Sequence, residues 1–98
     1  IITLQYDTTI DQLKTIRNQI EDHIKKNEDF NTRIGIAVRV DKFSDSSIDM
    51  YVRCFTNSSS WNEWLSVKER LALEIKQIVE KNNASFAFPS SSIYIEKK

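Results

Sequence analysis

An α+β sandwich with the element order β-α-β-β-α-β is the fold class predicted by this 98-residue sequence. Three observations predict it. Two stretches repeat apolar residues at steps of three and four, the signature of one helix face. Other stretches alternate apolar and polar residues, the signature of a half-buried strand. The amounts also match, because two apolar helix stripes are what one apolar sheet face needs to cover it.

Ile1 to Tyr6 alternates, with Ile2, Leu4 and Tyr6 on one side, and reads as the first strand. Thr8 with Asp11 three places on reads as a capping box at the start of a helix. Ile10, Leu13, Ile16, Ile20 and Ile24 then form one stripe, and Lys25 and Lys26 suit a helix C-terminus, giving a helix from about Thr9 to Asn27. Arg33 to Phe43 alternates, with Ile34, Ile36, Val38 and Val40 on one side. Ser44-Asp45-Ser46-Ser47 is turn chemistry. Ile48 to Thr56 alternates again, with Ile48, Met50, Val52 and Cys54 on the apolar face, so the two runs make a β-hairpin. Arg39, Asp41, Asp49 and Arg53 fall on its other face, where opposite charges pair across strands. Gly35, the sole glycine, marks a bulge or a close backbone approach in that hairpin.

Ser60 and Glu63 form a second capping box, and a helix follows from about Trp61 to Asn82. Its seam is Trp64, Val67, Leu71, Ile75 and Ile78, flanked by Leu65, Ala72 and Val79. Ser85 to Phe88 is the fourth strand. The complete order is that of a ferredoxin-like sandwich, an antiparallel sheet with two helices on one face. Beyond Pro89, Ile93 to Glu96 forms an extra strand. The expected organisation is a sandwich over residues 1–89 and an oligomerisation strand over residues 90–98. An apolar strand at a chain end is a template for pairing with another chain, so the tail points to assembly.

Composition narrows the function classes. Apolar content of 40% with 29% charged residues describes a globular chain. Acidic and basic residues balance at 14 each, without the basic excess of a nucleic-acid binder. Cys54 is the single cysteine, which excludes an internal disulfide and fits a reducing compartment. No apolar run reaches the roughly 20 residues that span a bilayer. The chain opens on Ile1-Ile2 without a methionine, which reads as an excised piece of a longer protein.

Individual residues point to packing more than chemistry. Cys54 on the apolar hairpin face reads as a small buried hydrophobe, and no His and Asp arrangement is near it to make a nucleophile. His23 has no companion with metal-ligand spacing. Asp45 and Asp49 bracket the hairpin turn without the oxygen ligands or the glycine that a cation loop needs. No cofactor and no metal site is expected. Tyr51 and Phe55 on the exposed sheet face resemble a base-stacking platform. Asp49 beside them and the neutral charge favour a protein contact instead. Trp61 reads as a sandwich cap or a subunit contact.

Three segments resemble one family. Tyr6-Asp7-Thr8-Thr9, Asp45-Ser46-Ser47-Ile48, and Phe86-Ala87-Phe88-Pro89 followed by Ile93-Tyr94-Ile95 resemble, in order, parts of the C-terminal domain of the small-conductance mechanosensitive channel family. The resemblance runs from Ile1 to about Glu96. It departs at Ile10, where many members carry proline; Pro there only preorganises a first turn. The resemblance implies a non-enzymatic role as cytoplasmic vestibule domain of a membrane-tension-activated ion channel. The implied parent sits in the cell inner membrane with this domain on the cytoplasmic side. A pore helix and a β domain precede it, and seven copies form a homo-oligomer. Phe88, Pro89, Ile93, Tyr94 and Ile95 would carry oligomerisation through an axial β-barrel. Permeating ions, and no nucleic acid, would be its partners. The runner-up reading is a soluble ligand-binding regulatory module on the same fold, told apart by an enzyme domain upstream in place of an apolar segment.

Overall fold

A computed structural model describes residues 1–44 and 46–87 of the chain. Five elements follow one another: β1 (Ile2–Gln5), α1 (Ile10–Lys26), β2 (Ala37–Phe43), β3 (Ser47–Arg53) and α2 (Trp61–Lys81). The strands form an antiparallel sheet in the order β1-β3-β2. Ile2 lies opposite Met50 and Leu4 opposite Ile48 across β1 and β3, and Val38 lies opposite Val52 across β2 and β3. These residues share one sheet face, because directly opposed residues point the same way. That face meets the helix stripes in one core that includes Leu4, Val38, Ile48 and Met50 from the sheet and Ile16, Ile20 and Ile24 from α1. Val67, Ile75, Ile78 and Val79 of α2 complete it. The fold is α+β, with both helices contributing to the core on the same side of the sheet.

The predicted fourth strand is reduced, among the described residues, to a single bridge of Phe86 with Leu4. Gln5 N–H donates to the Ser85 carbonyl and Ala87 N–H to the Thr3 carbonyl, each at 2.9 Å. Residues 85–87 thus run antiparallel along the β1 edge that β3 leaves open. The rest of that predicted strand, and the extra strand at Ile93-Tyr94-Ile95, lie outside the described residues.

Helix ends follow local chemistry, with two changes from the expected caps. The box of α1 is Thr9 with Gln12, not Thr8 with Asp11. Thr9 Oγ1 accepts from Gln12 N–H at 3.1 Å while Gln12 Oε1 accepts from Thr9 N–H at 2.8 Å. The glutamine reaches back where the shorter Asp11 cannot. Thr8 instead donates its hydroxyl to the Gln5 carbonyl at 2.6 Å and is buried. At α2, Ser60 Oγ accepts from Glu63 N–H at 3.2 Å, but Glu63 Oε1 accepts from Ser59 N–H, so the reciprocal half is displaced by one residue. The far end of α2 closes on Asn83 at φ 61°, the left-handed position that asparagine tolerates. Ala84 N–H then donates to the Val79 carbonyl at 3.1 Å and Asn83 N–H to that of Glu80 at 3.0 Å. Gln12 Nε2 donates to the Asn82 carbonyl at 2.9 Å, tying the start of α1 to the end of α2.

Two side-chain placements depart from the expected pattern. Ile10 opens α1 but is 69% exposed, because the stripe reaches the core only from Leu13 onward. Ile34 is 59% exposed, since β2 begins at Ala37 and not at Arg33. Gly35 stands between them at φ +115°, a conformation that breaks an extended run. A Cβ there would meet nothing within 4 Å, so backbone angle and not crowding accounts for the glycine. The bulge lies further on, at Asp41: Val40 pairs with Met50 and Lys42 with Asp49, leaving Asp41 as the extra residue.

The expected Arg–Asp pairs on the open face do not form among the described residues. Arg39 lies opposite Tyr51 and Arg53 opposite Ala37. Asp49 is buried and is satisfied by two hydroxyls, Ser44 Oγ at 2.9 Å and Ser47 Oγ at 3.0 Å. It organises the hairpin end instead of bridging strands.

Glu21 on α1 receives Lys25 Nζ at 3.1 Å and Arg17 at 3.2 Å. The hydrogen bond from Lys25 holds its carboxyl below the usual range against the opposing pull of burial, helped by the charges of Lys25, Arg17 and Arg39. A depressed carboxylate pKa adds stability above the unfolded value, 4.5, that is lost as pH falls through the folded value. The Glu21→Gln variant is therefore expected to lose less stability than the parent chain between about pH 6 and pH 3. Urea midpoints at the two pH values check this; equal losses in both proteins refute it.

Candidate functional site

The residues expected to carry oligomerisation, Phe88, Pro89, Ile93, Tyr94 and Ile95, all lie outside the described residues. The described chain delivers them from Ala87, at the β1 edge of the sheet. Antiparallel to β1, residues 85–87 travel from beside Gln5 toward Thr3.

A second feature was not legible in the sequence. Between the start of β1, the end of β3 and α2 from Trp64 to Ile75 runs an apolar groove of ≈ 600 Å³. Ile2 and Val52 line it from the sheet and Trp64, Leu71 and Ile75 from α2, with Phe30 also on the lining. The alternation assigned Val52 and Cys54 to the covered face, and the seam assigned Trp64 to the core. The structure leaves all three only partly buried. The periodicity reported which face each residue occupies. It did not report that α2 stands off the sheet at this end.

Two cations line the groove, Arg53 and Lys68, and no acidic residue does. The Arg53 guanidinium lies 5.3 Å from the Phe55 ring centroid, and Lys68 Nζ lies 4.9 Å from that of Trp64. Both are cation–π distances. No salt bridge involves either cation among the described residues. Trp61, 69% exposed, packs against the lining residue Trp64 with ring centroids 5.1 Å apart.

The expected chemical bystanders are placed as follows. Cys54 is half-buried on the groove wall, and burial pushes its thiol pKa up, the opposite of what activates a nucleophile. His23 sits 4.0 Å from Glu74 across the two helices. Tyr51 is 39% exposed on the open sheet face, while the Phe55 ring is engaged with Arg53. Among the described residues no group of three or more His, Cys, Asp or Glu side chains gathers in metal-binding geometry. No described helix is long and apolar enough to cross a membrane. The described surface offers a sheet edge occupied by residues 85–87 and an apolar groove lined by two cations.

Comparison with known proteins matches residues 1–86 to the family described as "Mechanosensitive ion channel MscS, C-terminal". An uncharacterized MscS family protein of Helicobacter pylori (strain ATCC 700392 / 26695) is 41% identical over 91 residues, covering 92% of this chain and 15% of that protein. The low conductance mechanosensitive channel YnaI of Escherichia coli (strain K12) is 32% identical, over 97% of this chain and 27% of its own length. The small-conductance mechanosensitive channel MscMJ of Methanocaldococcus jannaschii is 25% identical, over 98% of this chain and 27% of its own. The chain thus spans about a quarter or less of these relatives. With its two helices, its antiparallel sheet and a match over nearly all of its length, the chain belongs to the MscS family of mechanosensitive ion channels, as a C-terminal domain of that family.

Proposed function

We propose that this chain is the cytoplasmic vestibule domain of a mechanosensitive channel subunit, and that it holds subunits in register while the membrane-embedded part gates. The observation that carries the reading is the family match over residues 1–86, which ends where the chain reaches the β1 edge. Residues 90–98 would then be the oligomerisation strand, and Phe88, Pro89, Ile93, Tyr94 and Ile95 would contact neighbouring copies in a heptameric ring. The domain performs no chemistry and takes no cofactor. The parent lies in the inner membrane with this domain on its cytoplasmic side. Balanced surface charge sets a field for ions entering the vestibule without a dedicated ion site.

The test is electrical. The full-length protein, reconstituted in liposomes and held in an excised patch, is expected to give stepwise currents whose open probability rises with suction. Patches that rupture without steps, from vesicles shown to contain the assembled protein, refute the channel reading.

A further inference from the structure

The groove between the sheet and α2 has no part in the role proposed above, and its construction specifies an occupant. We propose that in the longer subunit the groove is filled by polypeptide preceding Ile1, a segment that lays apolar side chains on the floor and presents carboxylates to Arg53 and Lys68. The inference rests on the family reading, which makes this chain the C-terminal domain of a longer protein.

Charge is the first argument. The two charged residues on the lining are both cations, and their partners are aromatic faces of this same domain. A cation held over a ring keeps most of its capacity for hydrogen bonding, because the ring occupies one side of it. An incoming carboxylate meets Arg53 or Lys68 already positioned, with little side-chain ordering left to accomplish. An incoming basic segment is repelled by the same pair.

Route is the second argument. Ile1 and Ile2 are themselves part of the groove lining. Polypeptide that enters the domain at Ile1 therefore begins inside the site. Folding back a few residues costs little loop-closure entropy, and the tether gives the segment a high effective concentration.

The third argument is the kind of surface. Trp64 on the groove lining is partly buried and Trp61 beside it is 69% exposed. Tryptophan and arginine are among the residues that dominate the energetics of protein–protein contacts. A groove of ≈ 600 Å³ holds several side chains.

The experiment places a diazirine amino acid at Ala72, an exposed position on the groove wall, in the full-length detergent-purified protein. Photolysis and mass spectrometry identify what it joins. The expected adduct is a peptide from before Ile1 that contains Asp or Glu. The double variant Arg53→Glu, Lys68→Glu is expected to lower its yield at least about fivefold by repulsion. An adduct with lipid or detergent assigns the groove to an amphiphile and overturns the proposal. So does an adduct with residues 1–98 of a second copy, or a yield unmoved by the charge reversal. The liposome assay on the same preparation separates the two levels: a protein that conducts but gives no upstream adduct refutes the groove occupant alone.

Discussion

Ile20→Ala is expected to destabilise the domain by about 2–5 kcal/mol and to lower its thermal midpoint by about 10–30 °C. Ile20 is 0% exposed, between Ile16 and Ile24 on the α1 stripe, which are equally buried. Removing its methyl and methylene groups forfeits their transfer out of water. It also leaves a void that α1 cannot collapse into while Ile16 and Ile24 hold it in place. A domain of this size has only about 5–15 kcal/mol in total, so the loss is a large fraction of it. Ile10→Ala is the matched comparison. The chemistry is identical and the residue lies on the same helix, but it is 69% exposed. Its effect is expected to stay within about 0.5 kcal/mol. Thermal and urea unfolding followed by circular dichroism measures both; similar shifts for the two variants would contradict the core as described.

Truncation of the full-length protein after Pro89 is expected to dissociate the assembly, or to lower the temperature at which it dissociates by more than about 10 °C. In the proposed ring, a strand added from a neighbouring copy would contribute main-chain hydrogen bonds along its length and bury alternate side chains, which in this sequence would be Ile93 and Ile95. In a closed ring every subunit makes that contribution twice, once to each neighbour. The double variant Ile93→Asp, Ile95→Asp is expected to reproduce the truncation, because it leaves the chain length intact and removes the apolar side chains alone. Removing only Lys97 and Lys98 is expected to leave assembly unchanged. Native mass spectrometry and size-exclusion chromatography after heating give the answer. A truncated protein that assembles as stably as the parent would remove residues 90–98 from the proposed role.

Local periodicity carried most of the fold. The α1 stripe from Leu13 to Ile24, the apolar face of β3 and the closure of α2 at Asn82 and Asn83 were all readable, because each depends on neighbours in sequence. Tertiary facts escaped. The alternation of Arg33 to Phe43 continues through Gly35 and Asp41 as though neither mattered. Only the φ of +115° and the step from Val40–Met50 to Lys42–Asp49, which leaves Asp41 without a partner, reveal the late start and the bulge. The choice between Asp11 and Gln12 as cap partner turned on one methylene of reach. Asp49 looked like half of a cross-strand ion pair, whereas two nearby hydroxyls satisfy it at shorter range in the chain. The groove was invisible for a different reason. Its residues have the right pattern for a core, and pattern does not measure the distance between layers.

The bulge at Asp41 has a consequence for how copies of this domain meet. β2 forms one side of the sheet, and a straight, smooth side invites another sheet to continue it indefinitely. Here the extra residue kinks the row of peptide groups, and Arg39, Asp41 and Lys42 put charge beside the kink. That side is a poor zipper for fibre growth, while the opposite side is taken up by residues 85–87. Domains held at high local concentration are thereby steered away from open-ended stacking.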